Sequence, residues 1–129
     1  MNDPDIRTLI TEWARAVQQE DLDGVLAHHS DDIVMFDVPA PEQGRRGLDD
    51  YSASWTPFFK WIHTGAHFEI TELHVEHCDD FGVAWALLQC GTTEDLTQDP
   101  DRRLRLSFGL RRHAGTWQIS HEHHSFTHR

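Results

Sequence analysis

Apolar residues fall at two different spacings along this 129-residue chain, and the change comes near residue 65. In the first half, Ile6, Leu9, Ile10, Trp13, Ala14 and Val17 recur at the spacing of one helix face. They predict a helix over residues 4–19, with Asp3 as its N-cap and Pro4 at the first helical position. Asp21 is placed to cap a second, shorter helix striped by Leu22, Val25 and Leu26, which Ser30-Asp31-Asp32 should break. The run Ile33 to Val38 is apolar and rich in β-formers, and predicts a strand. Pro39, Pro41 and Gly44 make the next stretch a loop. A third helix is expected from about Leu48 to Trp61, with Tyr51, Trp55, Phe58, Phe59 and Ile62 as its apolar set. Pro57 should kink or divide it.

Beyond residue 65 the period is two. Residues 67–77, 82–94, 102–113 and 116–126 are four strand candidates. Their separators are Asp79-Asp80-Phe81-Gly82, Thr97-Gln98-Asp99-Pro100-Asp101 and Ala114-Gly115, the last marking a tight hairpin. Two helices, a short strand, a helix and four antiparallel strands make an α+β domain. Three helices packed on one face of a curved antiparallel sheet would form a half-open cone.

The length fits one domain spanning 1–129. Hydrophobic residues are 38% of the chain, and five Trp and seven Phe supply enough bulk for a folded core. Eleven basic and 22 acidic residues leave a net charge of −11 with His neutral, which repels phosphate backbones and anionic membranes. Nucleic acid and membrane are therefore excluded as expected partners. Cys78 and Cys90 lack CxxC or CxxH neighbours and read as free thiols in a reducing compartment. No run of 18 apolar residues occurs, and the first residues lack a basic and then apolar stretch. A cytoplasmic protein is expected.

Candidate chemistry lies at two places. Asp37 ends the apolar strand and precedes Val38-Pro39-Ala40-Pro41; burial there would raise its proton affinity toward that of a general base. The plainer alternative is an Asp that caps the turn. On the last strand, alternation puts Trp117, Ile119, His121, His123 and Ser125 on one face, and Gln118, Ser120, Glu122, His124 and Phe126 on the other. Trp117 and Ile119 are apolar, so their face should be the inner one. His121 and His123 would then reach the open end of the cone as acid or orienting groups, or stand there as structural histidines. Two His at i, i+2 could meet one metal ion, but spacing supplies no third ligand, so no metal and no cofactor is assigned. The remaining histidines, His29 and His124 among them, are expected mostly in solvent. Trp13, Trp55, Phe59, Trp85 and Phe108 are expected to contact a flat apolar ligand. No P-loop, G-x-G-x-x-G, G-x-S-x-G or HExxH motif occurs, so nucleotide and triad chemistry have no support.

Three stretches resemble a known family. Glu20-Asp21-Leu22-Asp23-Gly24-Val25 through Ser30-Asp31-Asp32-Ile33-Val34-Met35-Phe36-Asp37 is similar to a second helix running into a first strand. Gly44-Arg45-Arg46-Gly47-Leu48-Asp49-Asp50-Tyr51 resembles the glycine that opens a third helix. Trp117 to Ser125 resembles a last strand of pattern W-x-I-x-x-x-H-x-S. Together they resemble the SnoaL-like and ketosteroid-isomerase-like small proteins of the nuclear transport factor 2-like superfamily. The resemblance implies that superfamily's cone fold over nearly the whole chain. It also places a general-base carboxylate at the end of the first strand, where Asp37 stands. It departs at the oxyanion donors. Trp13 stands where those isomerases carry a tyrosine, and Arg105 or Leu106 where they carry a protonated Asp. A dienolate would lack its pair of strong donors, so steroid isomerisation is not expected. The expected function is a cofactor-free pocket protein for a small apolar molecule, a lyase or isomerase with Asp37 as base and His121 and His123 assisting. The alternative is a non-catalytic binding or association module. A homodimer formed through the sheet is expected, because both faces of Val83-Ala84-Trp85-Ala86-Leu87-Leu88 carry apolar residues.

Overall fold

The computed structural model describes residues 4–128. Asp5 caps the first helix, α1 (Ile6–Gln18), its carboxylate accepting from the Thr8 N–H at 2.8 Å. The expected cap, Asp3, lies outside the described residues. Asp21 caps α2 (Leu22–Leu26) through the Gly24 N–H, as its sequence position predicts. The first strand, β1 (His29–Phe36), begins earlier than the apolar run suggests. Asp31 and Asp32 do not break the chain there: they are exposed strand positions. A two-residue strand, β2 (Arg45–Arg46), follows the proline loop.

The third helix, α3 (Leu48–Ile62), runs unbroken through Pro57. Pro57 is exposed, so the Ala53 carbonyl it leaves unpaired lies near the solvent side. The Asp50 carboxylate in its first turn accepts from the Arg46 N–H at 2.9 Å and from Arg45 Nη1 at 3.1 Å. The remaining strands are β3 (His67–His77), β4 (Phe81–Gly91), β5 (Leu104–His113) and β6 (Thr116–Ser125). Between β4 and β5 the chain makes a short helix, α4 (Thr93–Gln98), where the sequence predicts the end of a strand over 82–94 and a separator from Thr97. Thr92 and Asp95 form a reciprocal capping box that starts it.

The strand order is β2-β1-β6-β5-β4-β3 in one open sheet. All neighbours are antiparallel except β1 and β6, which run parallel. Helices α1 and α3 cover the inner face. Trp13 of α1 sits at the centre, with ring centroids 5.9, 5.7 and 5.5 Å from Trp55, Phe68 and Phe108, all edge-on. Ile10, Val17, Ile33, Leu88 and Ile119 pack around it with no measurable exposure. Fully burying one such side chain contributes about 1.5–3 kcal/mol.

One irregularity decides the site. The β5–β6 register runs Gly109 against His121 but Leu110 against Ile119, so Ser120 is an extra residue on β6. Its hydroxyl donates to the Gly109 carbonyl at 3.3 Å. Trp117 and Ile119 face inward before the bulge. After it, Glu122 and His124 do.

Candidate active site: paired polar side chains at an aromatic cavity

The bulge reverses the expected roles of the terminal histidines. His121 and His123 lie on the outer sheet face. The Nδ1 of His121 donates to the Val34 carbonyl at 2.7 Å, and His123 is exposed beside Phe36. Neither lines the cavity. The expectation that they share a face with Trp117 and Ile119 is thus corrected. Strict alternation holds only where each residue of one strand opposes one of the next, and Ser120 breaks that count.

In their place Glu122 and His124 turn inward. Glu122 is completely buried, and His124 is nearly so. The Nε2 of His124 donates to Glu122 Oε1 at 2.8 Å. Glu122 Oε2 accepts from the Tyr51 hydroxyl at 2.7 Å and from His29 Nε2 at 2.5 Å. The Tyr51 oxygen in turn accepts from Trp13 Nε1 at 3.2 Å. Burial pushes the Glu122 carboxyl up, but hydrogen bonds from His124 and His29, then the charges of those rings, outweigh it and hold the carboxyl at about 2. It is therefore ionised. Burial, and then the charge of Glu122, push the Tyr51 phenol well above its usual value, so it stays protonated and donates. His29, expected in solvent, is a core residue instead.

Asp37 stands just beyond the end of β1, partly exposed. Its Oδ1 accepts from the Val38 N–H at 2.7 Å and lies 3.6 Å from His124 Nδ1. Asp37 thus binds the next amide of its loop and has His124 as a titratable neighbour. Asp37 and His124 form part of the wall of a cavity of about 830 Å³. Trp55, Phe58, Trp61, Phe68 and Phe126 supply its aromatic surface. The Arg102 guanidinium lies over the Phe126 ring, 4.2 Å from its centroid, and Arg45, paired with Asp50, also lines the wall. Cys90 lines it too. Burial, opposed by Arg102, pushes its thiol up to about 12, so it is no thiolate nucleophile.

Of the residues expected to contact a ligand, Trp55 lines the cavity. Trp13 and Phe108 do not: their rings fill the space between α1 and the sheet, 5.5 Å apart, as core. Phe59 packs against the Trp55 ring at 5.9 Å and is not part of the cavity wall. Trp85 points outward and stacks on His74, because in β4 the small residues Gly82, Ala84 and Ala86 occupy the inner positions. The sequence reading missed His124, Glu122, His29 and Tyr51. One signal was available: Phe126 is apolar but opposite in parity to Trp117 and Ile119, and one strand can satisfy both sets only with a register shift.

Among the described residues no group of three or more His, Cys, Asp or Glu side chains is placed to hold a metal ion. No helix there is long and apolar enough to cross a membrane.

The family model of the SnoaL-like domain matches residues 6–129. The chain belongs to the SnoaL-like family. Solved structures place this SnoaL-like chain in the nuclear transport factor 2-like superfamily. It is similar to a nuclear transport factor 2-like protein of unknown function from Pseudomonas putida KT2440. They share 33% identity over 93% of this chain and 82% of that one, with a TM-score of 0.79. A candidate ketosteroid isomerase from Shewanella frigidimarina shares the fold at 16% identity, 91% coverage of both chains and a TM-score of 0.74. A candidate association domain of a calcium/calmodulin-dependent protein kinase type II from Thiobacillus denitrificans does so at 15% identity. There 99% of both chains is covered, with a TM-score of 0.77. No curated protein matches the SnoaL-like chain.

Proposed function

We propose that the protein binds a small, mostly apolar molecule in the 830 Å³ cavity and moves a proton on it, as a lyase or isomerase. The observation that carries this reading is the 3.6 Å approach of His124 Nδ1 to Asp37 Oδ1 at an aromatic wall. Nε2 of His124 is committed as donor to ionised Glu122, which leaves Nδ1 as the nitrogen that faces the Asp37 carboxylate and can take up or release a proton there. Such a couple can take a proton from a bound carbon or hydroxyl and return it elsewhere. Glu122 fixes the ring, as the third member of a base and orienter arrangement does. A phenolic oxyanion donor is missing from the wall, since Tyr51 is the chain's single tyrosine and its hydroxyl is spent on Glu122. That supports a reaction other than steroid isomerisation. Free Cys78 and Cys90 suit a reducing compartment and support a cytoplasmic location.

The test is a thermal-shift screen of small apolar carbonyl and hydroxy compounds, followed by proton NMR of each hit in D2O with the protein. The reading expects exchange or conversion at one ligand position. Asp37→Asn and His124→Gln should each slow it by about 10²–10⁴-fold while the hit still binds. A hit that binds without exchange or conversion leaves the non-catalytic module in place.

The same proposal includes a homodimer through the outer sheet face. Across the strands one outer row runs His74, Trp85, Ser107, His123 and Phe36, and the next Glu76, Val83, Gly109, His121 and Val34. Glu72 and Glu76 make the β3 side acidic, while the β5–β6 side carries the cation Arg105 and the imidazoles of His121 and His123. A two-fold axis along the strands between β4 and β5 lays one side over the other, with Val83 and Trp85 between.

A further inference from the structure

Glu122 is divided between two imidazoles, one on each carboxylate oxygen: His124 on Oε1 and His29 on Oε2. The second nitrogen of His29, Nδ1, lies 3.2 Å from the Ala27 carbonyl oxygen. A carbonyl only accepts, and so does an ionised carboxylate, so both His29 nitrogens are placed to donate. The Tyr51 oxygen also lies 3.0 Å from Nε2, but its one hydrogen goes to Glu122, so the doubly protonated ring is the form that satisfies both acceptors. The side chains of His29 and Glu122 have no solvent exposure, so each charge is balanced by the other and not by water.

We propose that His29 is a positioning residue for the cavity: its charge occupies Glu122 and thereby sets how tightly His124 holds a proton on the nitrogen that faces Asp37. This deepens the proposed function and rests on its reading of Asp37 and His124. A buried carboxylate with no other counter-charge would attract a proton on His124 with its full charge. With His29 on its second oxygen, Glu122 still fixes the ring through one hydrogen bond but attracts its proton less. A group that must both give and take a proton needs that combination.

The neighbours of His124 leave His29 as the partner that can do this. From α1, Trp13 presents an uncharged ring at 6.5 Å. From α3, Tyr51 remains a neutral phenol. On β5 the residue opposite is Leu106. From the end of β1, Asp37 is the other half of the couple. Further round the cavity wall stand Arg45, Cys90, Asp95, Asp99 and Arg102, of which Arg45 is paired with Asp50 and Cys90 is a neutral thiol.

The test is a nitrogen-15 NMR titration of the histidine side chains, with His124 and His29 assigned through His124→Gln and His29→Gln. In the unaltered protein His29 should carry protons on both nitrogens at neutral pH. In His29→Gln the titration midpoint of His124 should rise by about one pH unit, a tenfold change in its proton affinity. Tyr51→Phe removes an uncharged donor from the same oxygen and should move the midpoint by less. Three results overturn the proposal: a singly protonated His29 at neutral pH, an unmoved His124 midpoint in folded His29→Gln, or an equal shift in Tyr51→Phe. The first needs no variant, so poor folding of His29→Gln leaves the proposal open to refutation. The titration involves no ligand. A cavity that binds nothing refutes the proposed function without touching this result, and an unmoved His124 refutes the role of His29 without touching the cavity.

Discussion

His124 and Glu122, two residues apart on β6, share the inner face of the sheet and one 2.8 Å hydrogen bond. Two residues is the repeat of a strand, so the pair stays on one face for as long as the register after Ser120 is kept. The carboxylate is sealed in the core while His124 reaches the cavity wall. The arrangement joins the interior charge cluster to the space where a ligand fits.

Glu122 makes stability depend on acid. Its carboxyl is held at about 2 against an ordinary 4.5, so the unfolded chain binds a proton there more readily than the folded one. The stabilisation is complete above about pH 4.5 and is lost as pH falls toward 2; its size is on the order of 3 kcal/mol. Denaturant unfolding measured across this range should show that loss. In Glu122→Gln the same arm should flatten, and at neutral pH the variant should be less stable by about 3–5 kcal/mol, because His29 and His124 lose the buried carboxylate they are paired with.

Gly109 should resist substitution. A Cβ added there would sit 3.3 Å from the Cβ of His121, at the bulge itself. Gly109→Val should cost about 1–3 kcal/mol in chemical denaturation, since the strand must shift to admit the branched side chain. Ser107→Val, two positions away on the same exposed face, should stay within about 0.5 kcal/mol of the unaltered protein.

Trp85 should control assembly. Phe81, Val83 and Trp85 of β4 are 66%, 56% and 40% exposed in the single chain. Trp85→Glu would put a charge in the middle of the proposed interface. Light scattering at micromolar concentration should report a dimer for the unaltered protein and a monomer of unchanged circular dichroism for the variant. A monomer in both cases would refute the dimer.

Period and punctuation were legible in the chain before any coordinates. Apolar residues at helical spacing marked α1 and α3, and alternation marked four strands whose observed bounds differ by a few residues at most. The helix α4 was hidden because it buries no residue, leaving its capping box at Thr92 and Asp95 as its local sign. At the site, the sequence singled out Asp37, Trp55 and two histidines of the last strand, of which Asp37 and Trp55 line the cavity. It misassigned which histidines, because hydrophobic alternation records the direction of each side chain only while strand pairing is regular. Whether Ser120 stays in step or is left over depends on Gly109, Leu110 and β1, which lie far from it in the chain and beside it in the sheet. The cluster of His29, Tyr51, Glu122 and His124 is likewise drawn from β1, α3 and β6. A buried carboxylate survives only where donors from separate elements meet around it, and that meeting is a property of the folded chain alone.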